Sequence, residues 1–206
     1  MSYAIWHFGC VSSTLDVAYQ LARDGRLEVW ESVTATSQRS GRGQLRRDWI
    51  SPPGNMYASV RLPFEDPFTT EYAGPAFGVL VAEAMQRLMY PVRIKWPNDL
   101  IVQVGDGYAK LGGILLEERG GILLAGIGIN VRSYPGEGEL RDDHVFPATS
   151  LLAWKNIAVD AENLWQTLVM YMISVYKERG TFSKDWEESL AKYILGDRVP
   201  ASGIAS

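Results

Sequence analysis

The chain of 206 residues predicts an α+β fold, a mixed β-sheet flanked by helices. Three observations lead there. Short apolar runs with period-two alternation recur between Gly and Pro turns. A few segments instead space their apolar residues by three and four, the signature of amphipathic helices. The strand-like runs outnumber the helical ones, a pattern of one sheet with helices packed on one side.

Taken in order, residues 3–8 alternate loosely and read as an edge strand. Ser12, Ser13 and Thr14 then offer a helix cap before LDVAYQLARDG, whose Leu15, Ala18, Leu21 and Ala22 share a face and whose Gly25 ends it. Residues 27–34 (LEVWESVT) read as a strand, and Pro52-Pro53-Gly54 as a turn. In 55–62, Met56, Ala58, Val60 and Leu62 alternate with Tyr57, Ser59 and Arg61, a strand with one buried face. A loop over 63–72 precedes a buried helix at 76–88. Three glycine-broken runs, 92–96, 111–116 and 121–129, read as neighbouring strands. Leu164, Leu168, Tyr171 and Val175 mark a further helix ending near Gly180, and Trp186, Leu190 and Tyr193 a short last one. Residues 1–195 therefore read as one domain. The tail 196–206 (GDRVPASGIAS) has too few apolar residues to pack and reads as a remnant or beginning of another domain.

Composition narrows the function. Apolar residues make up 47% and charged residues 21%, ordinary values for a globular protein. The formal charge of -4 argues against general nucleic-acid binding, though not against a locally basic site. The one cysteine, Cys10, cannot form an internal disulfide, which suits a reducing cytoplasm. No secretion signal or membrane-spanning run is expected. With only His7 and His144 present, a Cys/His zinc site and a Ser-His-Asp hydrolase are both disfavoured.

Four stretches could carry chemistry. In SGRGQLRRDW (residues 40–49), Gly41, Arg42 and Gly43 can form a backbone nest with an arginine fork for a carboxylate or phosphate, and Trp49 can stack on a flat ring. The same run also reads as a solvated basic loop with a tryptophan anchor. In IKWPNDL (94–100), Pro97 forces a bend that presents Asn98 and Asp99, with Lys95 available for phosphate; an ordinary turn reads equally well. In AKLGGILLE (109–117), Lys110 opens an apolar strand next to two glycines, where an amine can stabilise developing negative charge, or can simply guard a strand edge. In AGIGINV (125–131), Gly126-x-Gly128 is not a dinucleotide fingerprint, because Val131 stands where a third glycine is needed. Asn130, ending an apolar strand, needs a polar partner.

The order of these stretches is more specific than any one of them. A Gly-Arg loop, then KWPND, then KLGGILLE, then GIGIN, with ATSL at 148–151, resembles the biotin–protein ligases, also called biotin–[biotin carboxyl carrier protein] ligases, across nearly the whole chain. The resemblance implies a catalytic domain similar to that of class II aminoacyl-tRNA synthetases. It implies ATP-dependent activation of biotin to biotinyl-5′-AMP, then transfer to a lysine of a biotin carboxyl carrier protein, with ATP and biotin as substrates and magnesium as the metal. Carried onto this sequence, Ser13, Thr14 and Gln38 contact biotin, with Gly41, Arg42 and Gly113 around it. Lys110 and Arg42 are the catalytic pair. Trp49, Lys95, Asn98, Asp99 and Asn130 bind ATP or the adenylate, and Asp99 is the candidate magnesium ligand.

Two departures stand out. Gln44 and Arg46 occupy places where the family loop carries an arginine and a glycine. Many members also continue into a small SH3-like domain, near where this sequence ends. No room for an N-terminal helix-turn-helix is seen, so no DNA partner is expected, and the resemblance allows a homodimer through a sheet edge. The competing readings are a lipoate or octanoate ligase and a non-catalytic binder of biotin or its adenylate.

Overall fold

The computed structural model describes residues 3–136, 146–179 and 184–196. Strands β1 (Ile5–Val11) and β2 (Ser32–Gln38) run parallel, joined through helix α1 (Thr14–Arg23). Strand β3 (Met56–Leu62) lies antiparallel to β2 and is followed by helix α2 (Ala73–Arg87). Strands β4 (Arg93–Lys95), β5 (Asp99–Val104), β6 (Gly107–Arg119) and β7 (Ile122–Ile129) form an antiparallel meander, and β7 returns to pair with β3. The result is one mixed seven-stranded sheet in the order β1-β2-β3-β7-β6-β5-β4. Helices α3 (Leu151–Lys155), α4 (Ala161–Arg179) and α5 (Lys184–Tyr193) complete the chain.

Period two sorts the central strands. Met56, Ala58, Val60 and Leu62 of β3, with Leu123, Ala125, Ile127 and Ile129 of β7, face a large core shared with α2, α4 and α5. Each of the larger ones, the Met, Val, Leu and Ile side chains, contributes about 1.5–3 kcal/mol of transfer free energy when fully buried. Within this core, Trp165 donates its Nε1–H to Ser32 Oγ at 2.9 Å, satisfying the one polar atom on an otherwise apolar ring. The opposite face carries a smaller core of Leu15, Ala18, Leu21, Ala22, Leu27, Val33 and Leu124. Helices therefore cover both faces, not one. The apolar stripe of α1 is as real as the stripes of the other helices, but nothing in its spacing says which face of the sheet receives it.

The ends of α1 follow local rules in part. Gly25, at φ 69°, takes the left-handed position, and the N–H groups of Gly25 and Arg26 bond to the carbonyls of Ala22 and Leu21. Ser13 occupies the cap position without making a side-chain cap bond. The Thr14 N–H is instead taken by Gln38 Oε1 at 2.9 Å.

Several expected boundaries move. Of the expected strand 27–34, only the last three residues are strand, with β2 beginning at Ser32 and 27–31 irregular. Leu27 is buried in the smaller core, while Trp30, at φ 70°, packs against Phe68 and Tyr176, so the apolar residues of this run are buried at two separate sites. Strand β5 and helix α3 are additional elements: β5 does not alternate, its Leu100, Ile101 and Val102 all being buried, and α3 is too short to show a period. The helix end at Gly180 and the tail from residue 197 onward lie outside the described residues. Among the described residues no helix is long and apolar enough to cross a membrane.

Gly112 shows how tightly β6 and β7 approach. A Cβ there would stand 2.5 Å from the Gly128 carbonyl oxygen and 3.4 Å from the Ile129 Cα. Gly112→Ala is expected to destabilise the protein by roughly 1–3 kcal/mol, measured by urea denaturation. An unchanged midpoint would show that the two strands can part freely.

Candidate active site

On the α1 face of the sheet, a cavity of about 520 Å³ opens between α1, the loop after β2, the β4–β5 turn and the centre of β6 and β7. Its floor is almost bare. Gly113 and Gly128 are direct partners across the β6–β7 ladder, and Gly126 lies two residues before Gly128 on the same face. Three glycines leave a hollow where a β-sheet ordinarily presents side chains.

Trp49 lies on that floor. A Cβ on Gly128 would stand 2.6 Å from the indole, and one on Gly113 would stand 3.1 Å from it. The indole Nε1 is buried and makes no hydrogen bond. Lys110 Nζ sits 5.5 Å from the ring centroid, a cation–π contact.

A polar chain forms one wall. Ser59 Oγ donates to Thr14 Oγ1 at 2.8 Å, and Thr14 Oγ1 donates to Gln38 Oε1 at 3.1 Å. Gln38 Nε2 donates to Ser51 Oγ at 2.9 Å, and Ser51 Oγ donates to the Trp49 carbonyl at 2.9 Å. The amide of Gln38 is thus fixed in orientation, its oxygen taken by two donors and one of its N–H groups directed elsewhere. Ser13 is buried beside it and also lines the cavity.

A charged cluster forms the opposite wall. Lys110 Nζ stands 2.6 Å from Asp99 Oδ1, and Lys95 Nζ stands 3.5 Å from Asp99 Oδ2. One carboxylate between two ammonium groups leaves a local surplus of one positive charge. Lys110 is positioned through its backbone: its N–H bonds the Pro147 carbonyl at 2.7 Å, and its carbonyl accepts from Thr149 at 2.9 Å. The ATSL stretch therefore braces the lysine. Asn98 is likewise committed, its Nδ2 donating to the Ile114 carbonyl at 2.9 Å. Asn130 is 4% exposed and donates to the Thr149 carbonyl at 3.0 Å.

The loop from Gly41 to Trp49 folds back on itself. Trp49 N–H bonds the Gly41 carbonyl, Gly43 N–H bonds the Arg47 carbonyl, and Arg42 bridges Asp48. The turn, Gln44–Arg46, is a 3-10 segment kinked at Leu45, which lies at φ 56°, ψ 35° and is 86% exposed. A leucine in this left-handed region costs about 1–2 kcal/mol. Gly41 is required at its position, since a Cβ would come within 2.4 Å of the Trp49 carbonyl oxygen.

Ser13, Thr14, Gln38, Arg42, Trp49, Lys95, Asn98, Asp99, Lys110, Gly113 and Asn130 all line this one cavity, with Gly41 at the root of its loop. Three details differ from the sequence reading. The guanidinium of Arg42 is turned to two carboxylates, Asp16 and Glu117, whose hydrogen bonds, Asp16's foremost, raise its pKa above the ordinary arginine value against the opposing effect of burial. Gly113 faces the Trp49 indole. Asp99 is ion-paired, lying between the ammonium groups of Lys110 and Lys95. Asp16, Ser51, Ser59 and Glu117 belong to the site without having been singled out. Glu117 was readable, because Gly113, Leu115 and Glu117 share one face of a strand by period two.

The model of the biotin/lipoate A/B protein ligase family matches residues 8–133, and the chain belongs to that family. The chain is 30% identical over 184 residues to the bifunctional ligase/repressor BirA of Salmonella typhimurium, covering 85% of this chain and 53% of that protein. It is 29% identical over 165 residues to the biotin–[acetyl-CoA-carboxylase] ligase of Paracoccus denitrificans, covering 76% and 66%. The chain spans about half the length, or less, of the BirA relatives it matches. The fold superposes on the biotin protein ligase of Aquifex aeolicus in complex with biotin and ATP with a TM-score of 0.73 at 25% identity, covering 93% of this chain and 78% of that one. It superposes on the Leishmania major ligase in complex with biotinyl-5-AMP with a TM-score of 0.78, covering 97% and 87%. At 23% identity, that second match speaks for the fold alone.

The floor contact is directly testable. Gly128→Ala is expected to expel the indole and move the Trp49 contribution to the fluorescence spectrum to longer wavelength, isolated by subtracting a Trp49→Phe counterpart. Identical difference spectra with and without the alanine would mean that Trp49 does not rest on Gly128.

Proposed function

We propose that this domain is a biotin–protein ligase, joining biotin and ATP to form biotinyl-5′-AMP and transferring biotin to a lysine of a carboxyl carrier protein. The observation that carries the reading is the Lys110–Asp99–Lys95 cluster, facing a cavity whose other wall is the fixed Thr14–Gln38 amide network. In the first step a biotin carboxylate oxygen attacks the α-phosphorus, and the bond to pyrophosphate breaks. Two anions must approach: at 4 Å their repulsion is about 4 kcal/mol at an effective dielectric near 20. Lys110 offsets that cost. Its contact with Asp99 holds the ammonium at the cavity, and an incoming phosphate or carboxylate can replace Asp99 as its partner. In the second step the carrier's lysine amine, as the neutral base, attacks the acyl carbon and AMP leaves. Neither step needs a protein nucleophile.

Within this reading Ser13, Thr14 and Gln38 recognise biotin through its polar ring, and Trp49, Lys95, Asn98 and Asn130 surround the nucleotide. Magnesium enters with the triphosphate rather than as a protein-held ion. The family also includes lipoate ligases; the relatives named above are biotin ligases, which favours biotin.

Incubation with biotin, α-labelled ATP and magnesium is expected to give labelled biotinyl-AMP, with lipoate failing to compete. No adenylate at saturating substrates would remove the enzymatic reading and leave a binder. Lys110→Ala is expected to retain biotin binding while losing adenylate formation by about a hundredfold or more; undiminished turnover would exclude Lys110 from the chemistry. Gln44→Arg, which restores the family's residue at the flap turn, is expected to slow release of biotinyl-AMP in a filter-binding chase. Equal release rates would make the glutamine silent.

A further inference from the structure

The most heavily committed charged group in the site belongs to the flap itself. Arg42 Nη1 and Nη2 donate to Asp16 Oδ2 and Oδ1, both at 2.9 Å, while Nε and Nη2 donate to Glu117 Oε1 and Oε2 at 3.1 and 3.3 Å. Both carboxylates are therefore bidentate on one guanidinium, the strongest geometry available to this pair of groups. Asp16 is in the first turn of α1 and Glu117 is on β6, so the three residues tie the flap to the helix and to the sheet at once. Arg119 closes the cluster, pairing with Glu117 and standing 3.7 Å from Asp16. Two cations and two anions balance, so the cluster lends no net charge to a ligand. The fork that would grip a phosphate is engaged with the protein's own acids.

We infer that Asp16 and Glu117 are positioning residues that latch the 41–49 flap in place before any ligand arrives, acting through Arg42. This rests on the ligase reading only for its consequence, retention of the adenylate. Trp49 on the glycine floor is the flap's apolar anchor and Arg42 its polar one. Opening requires both to let go. Of the two, only the polar anchor weakens with ionic strength, because its members are partly exposed, with 30% of the Arg42 side chain and 36% of the Asp16 side chain accessible. Ordering the flap in advance also removes that cost from ligand binding.

Limited trypsin digestion of the ligand-free protein tests the latch. Cleavage within residues 39–47, normalised to cleavage after Lys155, is expected to rise roughly tenfold in Asp16→Asn/Glu117→Gln, the scale of a lost charge-assisted hydrogen-bond pair. In an Arg42→Met background the same two substitutions are expected to add nothing. Should the double variant fail to fold, wild type alone decides: its normalised flap cleavage should rise at about 1 M salt, where screening reaches about 3 Å. Flap cleavage indifferent to both the substitutions and salt would overturn the inference. Where wild type forms biotinyl-AMP, Asp16→Asn/Glu117→Gln should lose it faster, and equal loss would count against the latch. If wild type forms none, the ligase reading falls while the digestion still judges the latch.

Discussion

A sheet face without side chains at its centre must be covered by something, and most of the site follows from that. Gly113 and Gly128 sit opposite each other on β6 and β7, with Gly126 beside them. Residues with side chains there would fill the space with core, and α1 could then close over the whole face. With glycines, the smaller core stops at Leu15 and Leu124, and a cavity begins. The loop after β2 reaches over it, and its tryptophan takes the place that strand side chains would otherwise have held. The glycines are thus an opening built into the core.

Around that opening, polar groups are held by partners rather than left to solvent. The Gln38 amide is clamped by Thr14 and Ser51, Asn98 by the β6 backbone, Asn130 by Thr149, and Lys110 by the strand-like bridge to the 147–149 segment. Buried polar groups are costly unless paired. Pairing also fixes each group's direction, so the arrangement that keeps the site stable keeps it ordered for ligands. The cations differ in their commitments. Arg42 is bidentately held by two acids, whereas Lys110 and Lys95 share one, and that difference separates a group that holds the flap from groups able to meet an anion.

Sequence reasoning reached the site through its motifs. KWPND and KLGGILLE each carry residues that the fold brings within contact of one another, as with Asp99 and Lys110. The central strands were legible because their alternation is strict, as in Met56 to Leu62. Legibility failed where burial came from unrelated neighbours. Leu27 and Trp30 look like one strand and serve two different cores. It failed again for Asp16: one acid on an exposed-looking helix turn has no local signature of a partner 26 residues away. The face chosen by α1 and the position of Trp49 depend on what the sheet leaves empty, which only assembled glycines reveal.

The β3–β7 seam has a kinetic meaning as well. It joins Met56–Leu62 to a strand more than sixty residues later in the chain, after the whole β4–β6 meander has been made. The cavity straddles that seam, with Ser59 and Gln38 supplied from one side and Lys110, Gly113 and Asn130 from the other. Contacts of such long sequence separation form slowly and late. Residues 13–59 carry the polar network and residues 95–110 the charged cluster, so the two come together around one pocket only when that seam closes.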